Sequence, residues 1–314
     1  RLAMKTFFTP DPALDQGLNR ALDQLWAEFP SLAPTQIAVT WVVYDPPYIT
    51  NTGGALTAQD FWQHPVRGAT YRGVELIYPA SVVKLFYLVA AHEWLEQGMV
   101  ADSPELDRAL RDMIVDSSND ATSLVVDVLT GTTSGPELAV GPFATWQHQR
   151  NMVNRFFQSL GWPELATVNL NQKTWCDGPY GRERAFLGEH YENRNALTTN
   201  AVARLIHSIA GGVAVSAARS QVMLNLMERN LRGDRPVTQE EDQITGFFGA
   251  GLPPQARLYS KAGYTSQVRH DAAYIEIPDR PPFTLVAFTQ GLEHSQNREI
   301  LPTLVSLLVD SSLP

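Results

Sequence analysis

Leu14, Leu18, Leu22, Leu25 and Trp26 recur every three to four positions, which predicts an amphipathic helix over roughly residues 12–29. Pro30 and Pro34 close it. Residues 36–44, QIAVTWVVY, are β-branched and aromatic with alternation and predict a strand that Asp45-Pro46-Pro47 ends. Residues 73–78, GVELIY, predict a second, shorter strand. The pattern then turns helical. Residues 80–97 form a long apolar helix with Gly98 as its stop. Residues 103–116 form another, with Ser103 as cap, Pro104 at the first helical position and Glu105 in the first turn. Further helices are predicted over 120–129, 145–160, 198–209 and 216–231. Between Gly161 and Asn195 no period holds, and irregular stretches of that length are commonly functional. Strands return at 257–262, 271–277 and 283–289, followed by a closing helix over 293–309.

Strands at both ends with helices between them predict an α+β fold. One antiparallel sheet draws on both termini, forms a three-layer α/β/α lobe with the first and last helices, and carries an all-helical insertion. The expected boundaries are residues 1–78 with 234–314 for the sheet lobe and 79–233 for the helical lobe.

Composition narrows the function. The chain has 314 residues, enough for one large domain or two interlocked ones, and 44% hydrophobic residues, which excludes wholesale disorder. It carries 24 basic against 33 acidic residues, a net charge of −9 with no Lys/Arg cluster. That balance argues against nucleic acid and anionic membrane surfaces as partners. No apolar run is long enough to span a membrane, and no signal-peptide pattern follows Arg1. The single cysteine, Cys176, excludes an internal disulfide and multi-thiolate zinc sites, and reads as a small buried hydrophobe. The seven histidines show no ligand pair, so neither a metal nor a cofactor is expected.

Three short motifs carry chemistry. Ser81-Val82-Val83-Lys84 opens a helix, so the amine three residues on shares a face with the hydroxyl. A serine needs a base within reach, and a lysine in an apolar run can serve. The helix N-terminus adds backbone N–H groups suited to an oxyanion. Asp116-Ser117-Ser118-Asn119-Asp120 lies between two helices; it lacks the glycine a calcium loop needs, and its hydroxyls and amide suit proton relay or substrate positioning. Ser260-Lys261-Ala262-Gly263-Tyr264 ends a strand with a lysine beside small residues. Each motif alone also fits a plain role: a capping serine, a helix junction, a strand lysine before a turn.

In the order S-x-x-K, S-x-N, K-A-G, these motifs resemble the serine β-lactamase and penicillin-binding protein superfamily, closest to class A β-lactamases. The resemblance covers most of the chain and implies the β-lactamase/transpeptidase-like fold with an active site in the cleft between its lobes. It implies Ser81 as acylated nucleophile, Lys84 as general base, Ser117 as proton shuttle, and Asn119 as the group that binds the substrate amide carbonyl and holds Lys84. It further implies Lys261 as the positive charge for a substrate carboxylate, the backbone N–H groups of Ser81 and of Tyr264, after Gly263, as the oxyanion hole, and Arg269 as a second carboxylate anchor or a surface arginine. The implied activity is β-lactam hydrolysis; a D-Ala-D-Ala carboxypeptidase-like amidase or esterase with slow deacylation, and a non-catalytic binding module, are the alternatives. The implied partner is a small β-lactam or a peptidoglycan-type peptide, met by a monomer in the periplasm or outside the cell.

The chain departs from the family pattern in four ways. Ser118 stands where S-D-N has Asp, with Asp120 as a possible substitute, and Ala262 stands where K-T-G has Thr. The interval from Ser81 to Ser117 is shorter than in typical class A enzymes. The class A deacylation signature, a Glu followed shortly by Leu-Asn, is absent. Counting back from Thr198, Glu183 lies nearest its place, with Glu189 and Glu192 as rivals. Arg182 and Arg184 beside Glu183 equally fit a salt-bridged loop anchor and would weaken it as a base.

Overall fold

The computed structural model describes residues 6–233 and 242–310. The chain divides into a sheet unit, Arg1–Glu75 with Thr198–Pro314, and a helical unit, Leu76–Leu197. The expected boundary at residue 234 lies outside the described residues.

The sheet unit holds strands β1 (Thr9–Pro10), β2 (Ile37–Val43), β3 (Arg67–Tyr71), β4 (Glu228–Arg229), β5 (Arg257–Tyr264), β6 (Val268–Glu276) and β7 (Phe283–Gln290) in the order β1-β3-β2-β7-β6-β5-β4. The two-residue β1 pairs with β3 in parallel; the other neighbouring pairs are antiparallel. Every residue of β2 is buried, as expected of a strand covered on both faces. On one face Ile37, Val39, Trp41 and Val43 join Leu14, Leu18, Leu22 and Leu25 of α1 (Pro12–Glu28) in the core. Asp11 caps α1 through Leu14 N, with Pro12 at its first position. Each buried leucine contributes about 1.5–3 kcal/mol to that packing.

On the other face the polar positions find partners. Thr40 Oγ1 lies 2.6 Å from Asn200 Oδ1 and 2.8 Å from Thr199 Oγ1, both in α9 (Thr199–Ala210). Tyr44 O–H lies 2.9 Å from His207 Nδ1. A buried hydroxyl is tolerated only with such a partner, so Thr40 pins α9 to β2. This corrects the expected lobe boundary. Helices α9 and α10 (Ala217–Met227) belong to the sheet unit, because the hydrogen-bonding face of α9 matches the sheet.

Two other expectations change. The second strand is β3, not residues 73–78. Arg72, at φ +53°, turns the chain out of the extended region, and Val74 and Leu76 are left exposed. The closing helix is two, α11 (Leu292–Gln296) and α12 (Ile300–Asp310), and α12 packs on the α1 side of the sheet through Leu301, Leu304 and Leu308. A short helix, α2 (Ala58–Gln63), precedes β3.

In the helical unit, α3 (Lys84–Glu96) is buried from Lys84 to His92, which accounts for its apolar run. Around it stand α4 (Pro104–Val115), α5 (Asn119–Thr130), α6 (Val140–Arg150), α7 (Met152–Ser159) and α8 (Gly181–Leu187). The helix expected over 145–160 breaks at Asn151 into α6 and α7. Among the described residues no helix is long and apolar enough to cross a membrane, and no group of three or more His, Cys, Asp or Glu could hold a metal ion.

Candidate active site

Residues 80–83 form a 3₁₀ turn, and α3 starts at Lys84. Side chains three apart eclipse one another in a 3₁₀ turn, which suits the Ser-x-x-Lys spacing better than an α-helix does. The Lys84 N–H donates to the Ser81 and Val82 carbonyls. Ala80, just before the serine, sits at φ +48°, a conformation that costs a non-glycine residue about 1–3 kcal/mol. Ser117 repeats the feature at φ +55°. Strained backbone thus falls in both serine motifs.

Lys84 is fully buried. Its Nζ donates to Ser117 O at 2.7 Å, Ser117 Oγ at 3.1 Å and Asn119 Oδ1 at 2.8 Å. These acceptors offset the cost of burying the amine. Ser118 Oγ accepts from Ala121 N and caps α5, so the middle residue of the motif acts as the cap itself. Asp120, considered as its substitute, is exposed in the first turn.

Asn119 is held from both ends. Its Oδ1 accepts from Thr174 Oγ1 at 2.8 Å as well as from Lys84, so its Nδ2 turns to Cys176 Sγ at 3.3 Å. Cys176 is exposed, contrary to the buried hydrophobe expected. The side chains that the irregular segment brings to Asn119 are therefore a hydroxyl and a thiol.

Glu183, the residue nearest the expected place of the deacylating carboxylate, sits in an ion pair. It is fully buried. The Arg150 guanidinium takes both its oxygens, Nη1 donating to Oε2 at 2.8 Å and Nη2 to Oε1. Ser134 Oγ donates to Oε1 at 2.8 Å, and Lys173 Nζ stands 3.7 Å away. Lys173 also pairs with Asp127 at 2.8 Å. A guanidinium fork on a carboxylate away from water is a strong, charge-assisted pairing. Its partner is Arg150 on α6, not the flanking Arg182 and Arg184. Glu189 and Glu192 are exposed, and the pKa of Glu192 is lowered by its own backbone amide and by that of His190, whose N donates to it at 2.7 Å.

In the sheet unit Lys261, Ala262 and Gly263 are buried within β5. Lys261 Nζ donates to Gln243 Oε1 at 2.9 Å and to Ala262 O at 2.8 Å. Gln243 Oε1 also accepts from Arg229 Nη2 at 3.0 Å and from Ala262 N at 3.1 Å. Tyr264 is partly exposed at the strand end and pairs in register with Arg269 of β6. Arg269 is buried, not on the surface: its guanidinium lies 4.5 Å from the Tyr264 ring centre and 4.8 Å from that of Phe247, and Nε donates to Ser295 O at 2.7 Å. Asp271, opposite Ala262, has its pKa raised to about 6 by burial, against the pull of the Phe248 and Ala272 amides, Arg229 and Lys261.

A family model described as the β-lactamase enzyme family matches residues 100–311. The chain belongs to that family. The matched span begins after Ser81 and Lys84. Among solved structures, the chain is similar to a β-lactamase from Sphaerobacter thermophilus DSM 20745, at 17% identity and TM-score 0.63, over 95% of this chain and 98% of that one. It is similar to a β-lactamase from Xanthomonas campestris pv. campestris str. ATCC 33913, at 15% identity and TM-score 0.62, over 95% and 98%. It is also similar to a PBP-A mutant in an acyl-enzyme complex with penicillin G, at 17% identity and TM-score 0.61, over 96% of each chain. The shared fold is that of the serine β-lactamase and penicillin-binding protein superfamily, close to class A. No curated protein sequence matches the chain.

Within this β-lactamase family chain, Lys84, Ser117 and Asn119 were legible as motif members and are in contact. Thr174, Arg150, Gln243 and Arg229 were not singled out, because nothing in their local sequence marks them.

Proposed function

We propose that this β-lactamase family protein is a serine acyl-transfer enzyme that reacts with β-lactams or peptidoglycan-type peptides and keeps the acyl group, in the manner of a penicillin-binding protein. The observation that carries the reading is the Lys84 hub, a buried amine in hydrogen-bond contact with Ser117 and Asn119. In the reactive form Lys84 is neutral and takes the Ser81 hydroxyl proton as Ser81 Oγ bonds to the amide carbonyl carbon. The backbone N–H of Ser81 donates to the oxyanion. The proton passes from Lys84 through Ser117 to the leaving nitrogen, the C–N bond breaks and a Ser81 ester remains. Asn119 Nδ2 binds the substrate's amide carbonyl. Sequestration of Glu183 in the Arg150 ion pair supports slow release of the ester. Such a substrate calls for a location outside the cytoplasm.

The test is parallel incubation with a fluorescent penicillin and a chromogenic cephalosporin. A stable, stoichiometric label with little turnover is expected, and Ser81→Ala should remove it. Rapid multiple turnover would overturn persistence in favour of β-lactam hydrolysis. No reaction of the intact protein with either compound would leave a binding module instead.

A further inference from the structure

Helix α3 carries Lys84 and Tyr87 three residues apart, so both leave the same face of the helix. Lys84 Nζ meets Asn119 Oδ1 at 2.8 Å. Tyr87 is fully buried and donates its hydroxyl proton to Gln172 O at 2.6 Å. Burial raises the pKa of the phenol, so it stays a donor. The same carbonyl accepts from Asn195 Nδ2 at 3.0 Å, which uses its second lone pair. Asn195 turns its own oxygen to Asn171 N at 3.0 Å and Gln172 N at 2.9 Å. One buried amide side chain thus gives this stretch the pairing that a neighbouring strand would supply. Two residues on, Thr174 Oγ1 donates to Asn119 Oδ1 at 2.8 Å. A closed path therefore runs from Lys84 along α3 to Tyr87, across Gln172 to Thr174, and back through Asn119.

We propose that Tyr87 is a positioning residue for acyl transfer: with Asn195 it fixes the Gln172 peptide, so that Thr174 meets Asn119 and aims Asn119 Nδ2 at the substrate's side-chain amide carbonyl. This rests on the proposed role of Asn119 as the group that binds that carbonyl. A single contact on Oδ1 leaves the Asn119 amide able to swing about its oxygen. Two contacts, from Lys84 and Thr174, fix the plane of the amide and with it the direction of the Nδ2 hydrogens. The Thr174 contact is the one that depends on a remote segment. Only Lys173 separates Thr174 from the clamped carbonyl, and its side chain is engaged by Ser134 Oγ and Asp127, each at 2.8 Å. A shift of the Gln172 peptide is therefore carried to the Thr174 hydroxyl. Lys84 still holds Oδ1 when that hydroxyl moves, so the loss falls on the aim of Nδ2 and not on the buried amine. The effect is confined to substrates that offer a side-chain carbonyl.

The experiment compares Tyr87→Phe, Asn195→Ala, Thr174→Val and the double variant Tyr87→Phe with Thr174→Val against the unsubstituted protein. Acylation is measured well below each melting temperature with a fluorescent penicillin, which has a side-chain amide. It is measured by competition with 6-aminopenicillanic acid, which has none. Tyr87→Phe keeps the ring, and its melting temperature should fall by at most about 6 °C. It should slow acylation by the penicillin about five-fold, the worth of one hydrogen bond, and by 6-aminopenicillanic acid at most about 1.5-fold. Asn195→Ala should show the same difference between the two probes. In the Thr174→Val background, Tyr87→Phe should slow the penicillin by no more than about 1.5-fold further, because both act through one contact. An unchanged penicillin rate in Tyr87→Phe would overturn the proposal, since a merely structural hydroxyl moves only the melting temperature. Equal losses with both probes, additive losses in the double variant, or failure of Tyr87→Phe to fold would overturn it too. Failure of the unsubstituted protein to react with either probe would instead remove the acyl-transfer reading beneath it.

Discussion

Glu183→Gln separates a structural carboxylate from a catalytic one. The substitution keeps the shape and removes the charge that meets Arg150 and Lys173. Arg150 and Glu183 are both fully buried, so neither partner can recover its hydration when the other is lost. A Gln amide would also set an N–H₂ group against one arm of the guanidinium, donor against donor. Removing one partner of such a pair costs about 3–5 kcal/mol. Lys173 keeps Asp127 at 2.8 Å, so the loss falls mainly on Arg150. At about 2–4 °C per kcal/mol for chains somewhat shorter than this one, the melting temperature should drop by roughly 6–20 °C. Circular dichroism against temperature measures that drop. Penicillin labelling well below the transition measures the chemistry, and its rate should stay within about three-fold of the original. Replacing the pair together, Arg150→Met with Glu183→Leu, removes both charges and should recover at least part of the loss, which a double-mutant cycle quantifies. An unshifted melting temperature in Glu183→Gln, combined with an acyl-enzyme that accumulates where the unsubstituted protein turns over, would refute the structural role and restore Glu183 as the deacylation base.

Other substitutions test the remaining contacts. Lys84→Met should fold and lose roughly 100- to 10,000-fold in acylation rate, the range for removing a general base, and an intact rate would exclude Lys84 from proton transfer. Thr174→Val deletes the hydroxyl that donates to Asn119 Oδ1; it should slow acylation about five-fold, the worth of one hydrogen bond of about 1 kcal/mol, and Thr174→Ser should restore it. His207 is buried between Tyr44, Phe61 and Trp62, and burial lowers its pKa from 6.5 to about 3, with Arg204 and His64 adding to the effect. The unfolded chain therefore binds a proton between pH 6.5 and 3 that the folded one refuses, so this contribution to stability is full above pH 6.5 and declines as pH falls. Urea unfolding at pH 4.5 should show about 2–3 kcal/mol less stability from this group than at pH 7, and His207→Phe should flatten that part of the profile.

The local pattern determined much of what was read correctly. The spacing of Leu14, Leu18, Leu22 and Leu25 made α1, and Pro104 after Ser103 made the start of α4, because helix geometry links residues within one or two turns. The strand β2 was visible in its β-branched run, though not its burial on both faces, and the three motifs stood out because each is a few contiguous residues at a fixed spacing. Where the reading failed, the deciding partner was distant. Residues 73–78 have strand composition, but Arg72 turns them away and Arg67–Tyr71 takes the place beside β2. Residues 198–231 read only as helices; Thr40, far along the chain, assigns α9 to the sheet. Glu183 sits between Arg182 and Arg184 in sequence, yet Arg150 neutralises it. Gln243 has no motif at all and meets Lys261 only when β5 is in place. Periodicity and capping are properties of neighbouring residues, so the sequence alone determined the elements and the chemistry-bearing triplets. Which buried charge is gripped, and which is left to act, depends on desolvation by remote segments, and only the tertiary structure decided that.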